Sequence, residues 1–253
     1  MKQILIVFLW MLSLRGLAQE THVIEPSILE ITYNVTHGKD KDIYALRCGK
    51  NVSQYFSKAS YRNDSLRASP DINISTIPLY ESLEAIKNRN DPSKQLPSSP
   101  GHNDYMYKNL SAGKVSVYTS VFGSKYVIEE ETPTMDWEIY EDSVQTIIGY
   151  ECHKAKTKFR GREWTVWYAA DIPVSLGPWK LNGLPGLILR AECKDYIIIT
   201  ASSIMTSNLS PVTFYNFAEY KYEPLERLKY LKIKTNPNSY PANTIIIPPM
   251  ELE

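Results

Sequence analysis

The sequence predicts a mainly β chain of the α+β kind: a large curved antiparallel sheet, half-barrel or barrel-like, with one short helix. Three observations carry that expectation. β-branched and aromatic runs recur along the chain, with 18 tyrosines among 253 residues, a composition suited to pleated, half-buried strands. Turn pairs such as Gly123-Ser124, Arg160-Gly161 and Lys194-Asp195 separate several of these runs and read as hairpin connections. A single stretch repeats its apolar residues at helical spacing.

Taken in order, the chain opens on Met1-Lys2-Gln3, an apolar run from Ile4 to Leu14, and the small-residue exit Gly16-Leu17-Ala18. That is the form of a secretory signal, with cleavage expected after Ala18. The run is well short of the roughly twenty residues a bilayer span needs, and no second span follows. Residues 1–18 are therefore read as a signal peptide and 19–253 as one mainly β domain, exported to the periplasm or the cell surface. Ile28 to Thr36 and Asp42 to Tyr55 read as an opening hairpin about His37-Gly38-Lys39-Asp40. Leu79, Leu83 and Ile86 predict the helix, over 77–90, and the Pro97-Ser98-Ser99-Pro100-Gly101 loop follows it. Lys114 to Phe122 with Lys125 to Glu131, Val144 to Phe159 with Arg162 to Ala170, and Leu187 to Cys193 with Tyr196 to Met205 give three more hairpins. The sheet should thus hold about eight to ten strands. Thr235 to Glu253 reads as an extended C-terminal tail.

Trp164, Val166 and Tyr168 fall on one face of their strand and Thr165 and Trp167 on the other, which predicts a strand covered on both sides. The stretch after it is rich in bends: Pro173, Gly177, Pro178, Gly183, Pro185 and Gly186 punctuate a loop that also carries Trp179 and Leu184. Glycine and proline at that density fix the backbone tightly. Such a loop is either a rigid crossover packed on the sheet or a binding lip carried by a rigid scaffold. An exposed Trp179 would favour the lip. On that ground Trp164, Trp167, Tyr168, Pro173, Gly177, Pro178, Trp179, Gly183, Leu184, Pro185 and Gly186 are the candidate ligand or partner residues.

Here the sequence resembles the GLPGLI family, exported proteins of Bacteroidetes-type bacteria. The naming string stands unaltered as Gly183-Leu184-Pro185-Gly186-Leu187-Ile188. Trp167-Tyr168, Asp171-Ile172-Pro173, Gly177-Pro178-Trp179 and Gly149-Tyr150-Glu151-Cys152 accompany it in order. The resemblance implies a bacterial source and brings no reaction with it.

Composition excludes several classes. With 28 basic and 28 acidic residues, nothing attracts the chain to nucleic acid. The four histidines lack metal-site spacing, and no nucleophile elbow, dinucleotide fingerprint or phosphate loop occurs, so no catalytic set, metal or cofactor is expected. Cys152 and Cys193 lie in predicted strands of one region and are the disulfide candidate, leaving Cys48 over; three separate buried thiols is the other reading. Glu129-Glu130-Glu131 could bind a cation or pair with lysine, a solvated strand end being the more ordinary reading. Asp136, Glu138, Glu141 and Asp142 could supply a carboxylate pair, a role that geometry alone decides. The leading functional expectation is a non-catalytic envelope protein holding a lipid or other apolar ligand in its curved sheet, by fold-level analogy with periplasmic lipoprotein carriers. The alternatives are docking on an outer-membrane partner through the tail, and an enzyme acting on glycans or peptides.

Overall fold

A computed structural model describes residues 22–88, 104–121, 123–241, 246 and 248–253. The expected signal segment and the Pro97–Gly101 loop lie outside the described residues. The strands are β1 (His22–Glu25), β2 (Leu29–His37), β3 (Asp40–Cys48), β4 (Val52–Ser57), β5 (Tyr105–Asn109), β6 (Lys114–Val121), β7 (Ser124–Glu131), β8 (Glu138–Ile147), β9 (Tyr150–Phe159), β10 (Arg162–Ala169), β11 (Leu187–Cys193), β12 (Ile197–Met205), β13 (Val212–Phe214) and β14 (Glu223–Pro224). The helices are α1 (Lys58–Arg67), α2 (Ile72–Ser75), α3 (Ile77–Lys87) and α4 (Arg227–Thr235).

Twelve strands form one sheet in the order β14-β7-β6-β5-β4-β3-β2-β12-β11-β10-β9-β8, and β1 pairs with β13 apart from it. All neighbours are antiparallel except β14 against β7. The sheet does not close, since β14 and β8 end it. The mainly β class is as the sequence predicts. Among the described residues its one short helix becomes four: α1 is mostly polar, α2 is a single turn, and in α4 lysines are interleaved with Leu228, Tyr230, Leu231 and Ile233.

Hairpin turns follow residue chemistry. Arg160 and Gly161 both take positive φ, 52° and 73°, as a two-residue turn matched to strand twist requires. Ile148 and Gly149 do the same at 44° and 89°. There the expected strand Val144–Phe159 is really β8, a turn and β9, since isoleucine gives no turn signal. Likewise Gly49-Lys50-Asn51 divides the expected strand Asp42–Tyr55 into β3 and β4.

The inner face of the sheet carries the main core: Ile31, Tyr33, Leu46, Val115, Trp164, Val166, Leu187 and Ile199 are at most 1 % exposed. The Ala170–Gly186 loop, α4 and the end of the chain fold onto that face, through Leu176, Trp179, Leu181, Leu184, Tyr230 and Leu231. A second cluster, Phe56, Tyr105, Tyr107 and Tyr215, lies on the outer face of β3–β6, where α1 and β13 pack. The outer face of β8–β11 carries no such cluster: Thr165, Trp167, Arg190 and Glu192 are half-buried and Lys156 and Glu163 exposed. The strand expected to be covered on both sides is therefore closed on one side only.

Candidate functional site

The loop singled out by the sequence is part of the core. Trp179 is 7 % exposed and stacks on Trp164, ring centroids 5.4 Å apart. Gly177, Pro178, Leu184 and Gly186 are buried with it, while Pro173, Gly183 and Pro185 are exposed. Tyr168 is buried and Trp167 half-buried. Two glycines of the string answer local needs. Gly183 has φ +92°, and a Cβ on Gly186 would sit 2.3 Å from the Ala169 carbonyl oxygen. Leu184 fills the core between them. These demands explain the string by backbone sterics, whatever the family.

The space left inside the sheet is small, about 80 Å³, whereas pockets for drug-sized ligands run from about 300 Å³ upward. Tyr44, Tyr55, Trp179 and Tyr230 close it.

Charges seal the interior. Lys180, 2 % exposed, pairs with both Glu130 and Glu251. Arg160 holds Glu130 at 2.6 Å and Arg227 holds Glu251 at 2.8 Å. Glu130 is therefore the centre of a largely buried ionic network, the lysine pairing open to it in sequence, while Glu129 and Glu131 are exposed. Nearby, Cys48, Ser53, Lys108, Val115 and Glu130 line up across β3 to β7. Burial pushes the Lys108 ammonium down to about 7 and the Cys48 thiol up to about 12. At the other end of the cavity Thr119 donates to Asp104 at 2.5 Å and Lys234 donates to the Tyr230 hydroxyl at 2.6 Å.

Cys48, Cys152 and Cys193 are three buried free thiols. The expected bridge fails on register. β10 lies between β9 and β11, and Cys152 and Cys193 sit near opposite ends of it, since His153 pairs with Tyr168 and Glu192 with Thr165. Five residues of offset is roughly 16 Å along the strands, far beyond disulfide reach.

Two predicted carboxylates do come together with others. A groove of about 520 Å³ on the outer face is lined by Asp136, Glu138, Tyr140, Lys156, Lys158, Glu163 and Thr165, with Thr157 and Trp164 beneath. Register builds it: Glu138 pairs with Lys156, Lys156 with Thr165, and Lys158 with Glu163. Alternation puts these residues on one face. Lys158 and Glu163 form an exposed ion pair at 3.3 Å. Glu138 accepts a hydrogen bond from the Tyr140 hydroxyl and holds that phenol above its usual range. Glu141 and Asp142 do not line the groove; the register shift between Tyr140 and Val144 carries them out of its row. Sequence reasoning missed Lys156, Lys158 and Glu163. Their signal was the alternation of charge either side of the Arg160-Gly161 turn. Among the described residues no group of His, Cys, Asp and Glu could hold a metal ion, and no helix is long and apolar enough to cross a membrane.

The molecule is thus an open, inward-packed sheet with a charged groove outside. Residues 115–231 match the family model described as N-glycanase peptide, N-terminal domain. Two solved structures of PNGF-II, in space groups P21 and C2, share the fold. The first is 15 % identical with a TM-score of 0.52, covering 81 % of this chain and 32 % of that one. The second is 16 % identical with a TM-score of 0.52, covering 80 % and 31 %. The chain therefore spans about a third of the length of those structures. No curated protein matches it. These findings replace the GLPGLI resemblance with an N-glycanase one. Together with the filled interior, they overturn the expectation of a non-catalytic apolar carrier and favour the glycan-acting alternative.

Proposed function

We propose that this chain serves an N-glycanase-type reaction and holds the glycan of an N-linked glycopeptide in the outer groove over β8–β10. The observation that carries the reading is coincidence: the matched segment, 115–231, contains every residue that lines the groove. The groove also has the chemistry a sugar needs. Carboxylates accept from hydroxyls, ammonium groups donate to ring and linkage oxygens, and the Tyr140 ring offers an apolar surface to the C–H face. Release of an N-linked glycan adds water across a carbon–nitrogen bond. One group must take the proton of water and another must return a proton to nitrogen. Asp136 and Glu138 are this chain's candidates for those roles.

The test is incubation of the full chain with an asparagine-linked glycopeptide, reading affinity by fluorescence anisotropy and release by mass spectrometry. Saturable binding is expected, weakened about tenfold in Asp136→Asn/Glu138→Gln, a change of ~1.4 kcal/mol. Absence of binding, or binding indifferent to both substitutions, would contradict the reading.

A further inference from the structure

We propose that the groove is one end of a longer glycan track across four strands, with Tyr140 and Trp167 as two stacking positions for one oligosaccharide. The inference rests on the glycan reading above and adds how much of the glycan is gripped, and by which residues. Register places the track. Tyr140 of β8 pairs with Lys154 of β9, Lys154 with Trp167 of β10, and Trp167 with Arg190 of β11. Aromatic and cation therefore alternate along a single cross-strand row. Lys154 and Lys156 lie 5.5 and 5.4 Å from the Tyr140 ring centroid, and Arg190 5.2 Å from that of Trp167.

Two strand spacings separate the rings, roughly 9.6 Å, more than one pyranose can cover and suited to an oligosaccharide laid across the strands. A sugar presents an apolar C–H face beside a rim of hydroxyls. The row presents rings beside N–H donors, so both parts of the ligand are met at each position. The adjacent row, Glu138, Lys156, Thr165 and Glu192, adds acceptors along the same path. Its carboxylates also disfavour the phosphates of nucleic acid or of an anionic lipid surface. The track is continuous with the groove at Tyr140 and Lys156, which line it.

The experiment compares the full chain's affinity for two fluorescent glycopeptides, one carrying a complete branched N-glycan and one trimmed to a single sugar. The complete glycan should bind about tenfold tighter. Trp167→Ala should remove about fivefold of that preference while leaving single-sugar affinity unchanged, whereas Tyr140→Ala, which alters the groove itself, should weaken both glycopeptides. The unchanged affinity also reports an intact fold, and Trp167→Phe should retain most of the preference. If Asp136→Asn and Glu138→Gln weaken binding but the two aromatic variants do not, the track is wrong and the glycan reading stands. If the wild-type chain binds neither glycopeptide, both fall together.

Discussion

A lysine buried in an apolar sheet is costly to charge, and Lys108 shows how this chain accommodates one. Its Nζ donates to the Leu181 carbonyl at 3.0 Å, so the side chain ties β5 to the Ala170–Gly186 loop. Burial, with Lys180 adding like charge, lowers its pKa to about 7, although Cys48 acts the other way. The unfolded value is near 10.4. Below pH 7 both states carry the proton and the burial cost is fully present. Above it the unfolded chain holds a proton the folded one does not, so stability rises with pH by up to ~1.4 kcal/mol per unit. Urea midpoints should climb between about pH 7 and 8, before most unfolded thiols ionise near 8.5, and Lys108→Met should flatten that climb. Equal slopes in the two proteins would show that the ammonium is not depressed. Residues of this kind are illegible in sequence. Lys108 follows Tyr105-Met106-Tyr107 and reads as an ordinary strand-end charge; only the loop landing on it reveals the burial.

At the scale of elements, the end of the chain is what makes the inner face dry. Arg162 donates to the Met250 and Pro249 carbonyls at 3.1 and 2.7 Å, and the Leu252 amide donates to the Arg160 carbonyl at 3.0 Å. Pro249 and Glu251 are buried. The tail, which could equally have covered its own sheet or added a strand to a partner's, is folded back on its own β9–β10 turn. Its Glu251 completes the pairing of Lys180 and Arg227, so Glu251→Ala leaves Arg160, Lys180 and Arg227 to share the one carboxylate of Glu130 in a nearly closed interior. A loss of about 3 kcal/mol is expected for breaking such a pair, read as a lowered urea midpoint with unchanged slope. A loss below about 0.5 kcal/mol would mean the network behaves as a surface one. The elements most legible in sequence were those with local signals: β2, β6, β7, β10, β11 and β12 stand within a few residues of expectation because glycine- or aspartate-bearing turns delimit them. β8, α1 and α4 were missed, the first behind an isoleucine turn, α1 because it is mostly polar, and α4 because lysines interrupt its apolar residues.

For the whole molecule, one consequence follows from which face is filled. Among the described residues the inner face takes a loop, a helix and the chain end, while the outer face of β8–β10 keeps an open charged groove. The sequence displayed the aromatic loop prominently and pointed inward, since large side chains and tight bends look alike in a core and in a binding lip. The groove was half legible: Asp136 and Glu138 were visible as neighbouring carboxylates, but their partners come from strands some twenty residues downstream, joined only by register. Everything proposed for this chain requires a glycan on the outer face of β8–β10. The most direct measurement is amide chemical-shift mapping of the full chain titrated with an asparagine-linked glycopeptide. The account predicts saturable shifts concentrated at Asp136–Tyr140 and Lys156–Thr165, with the Trp179–Leu184 loop unmoved. Shifts confined to that loop and to the cavity lined by Tyr44 and Tyr230, with the outer strands silent, would contradict it.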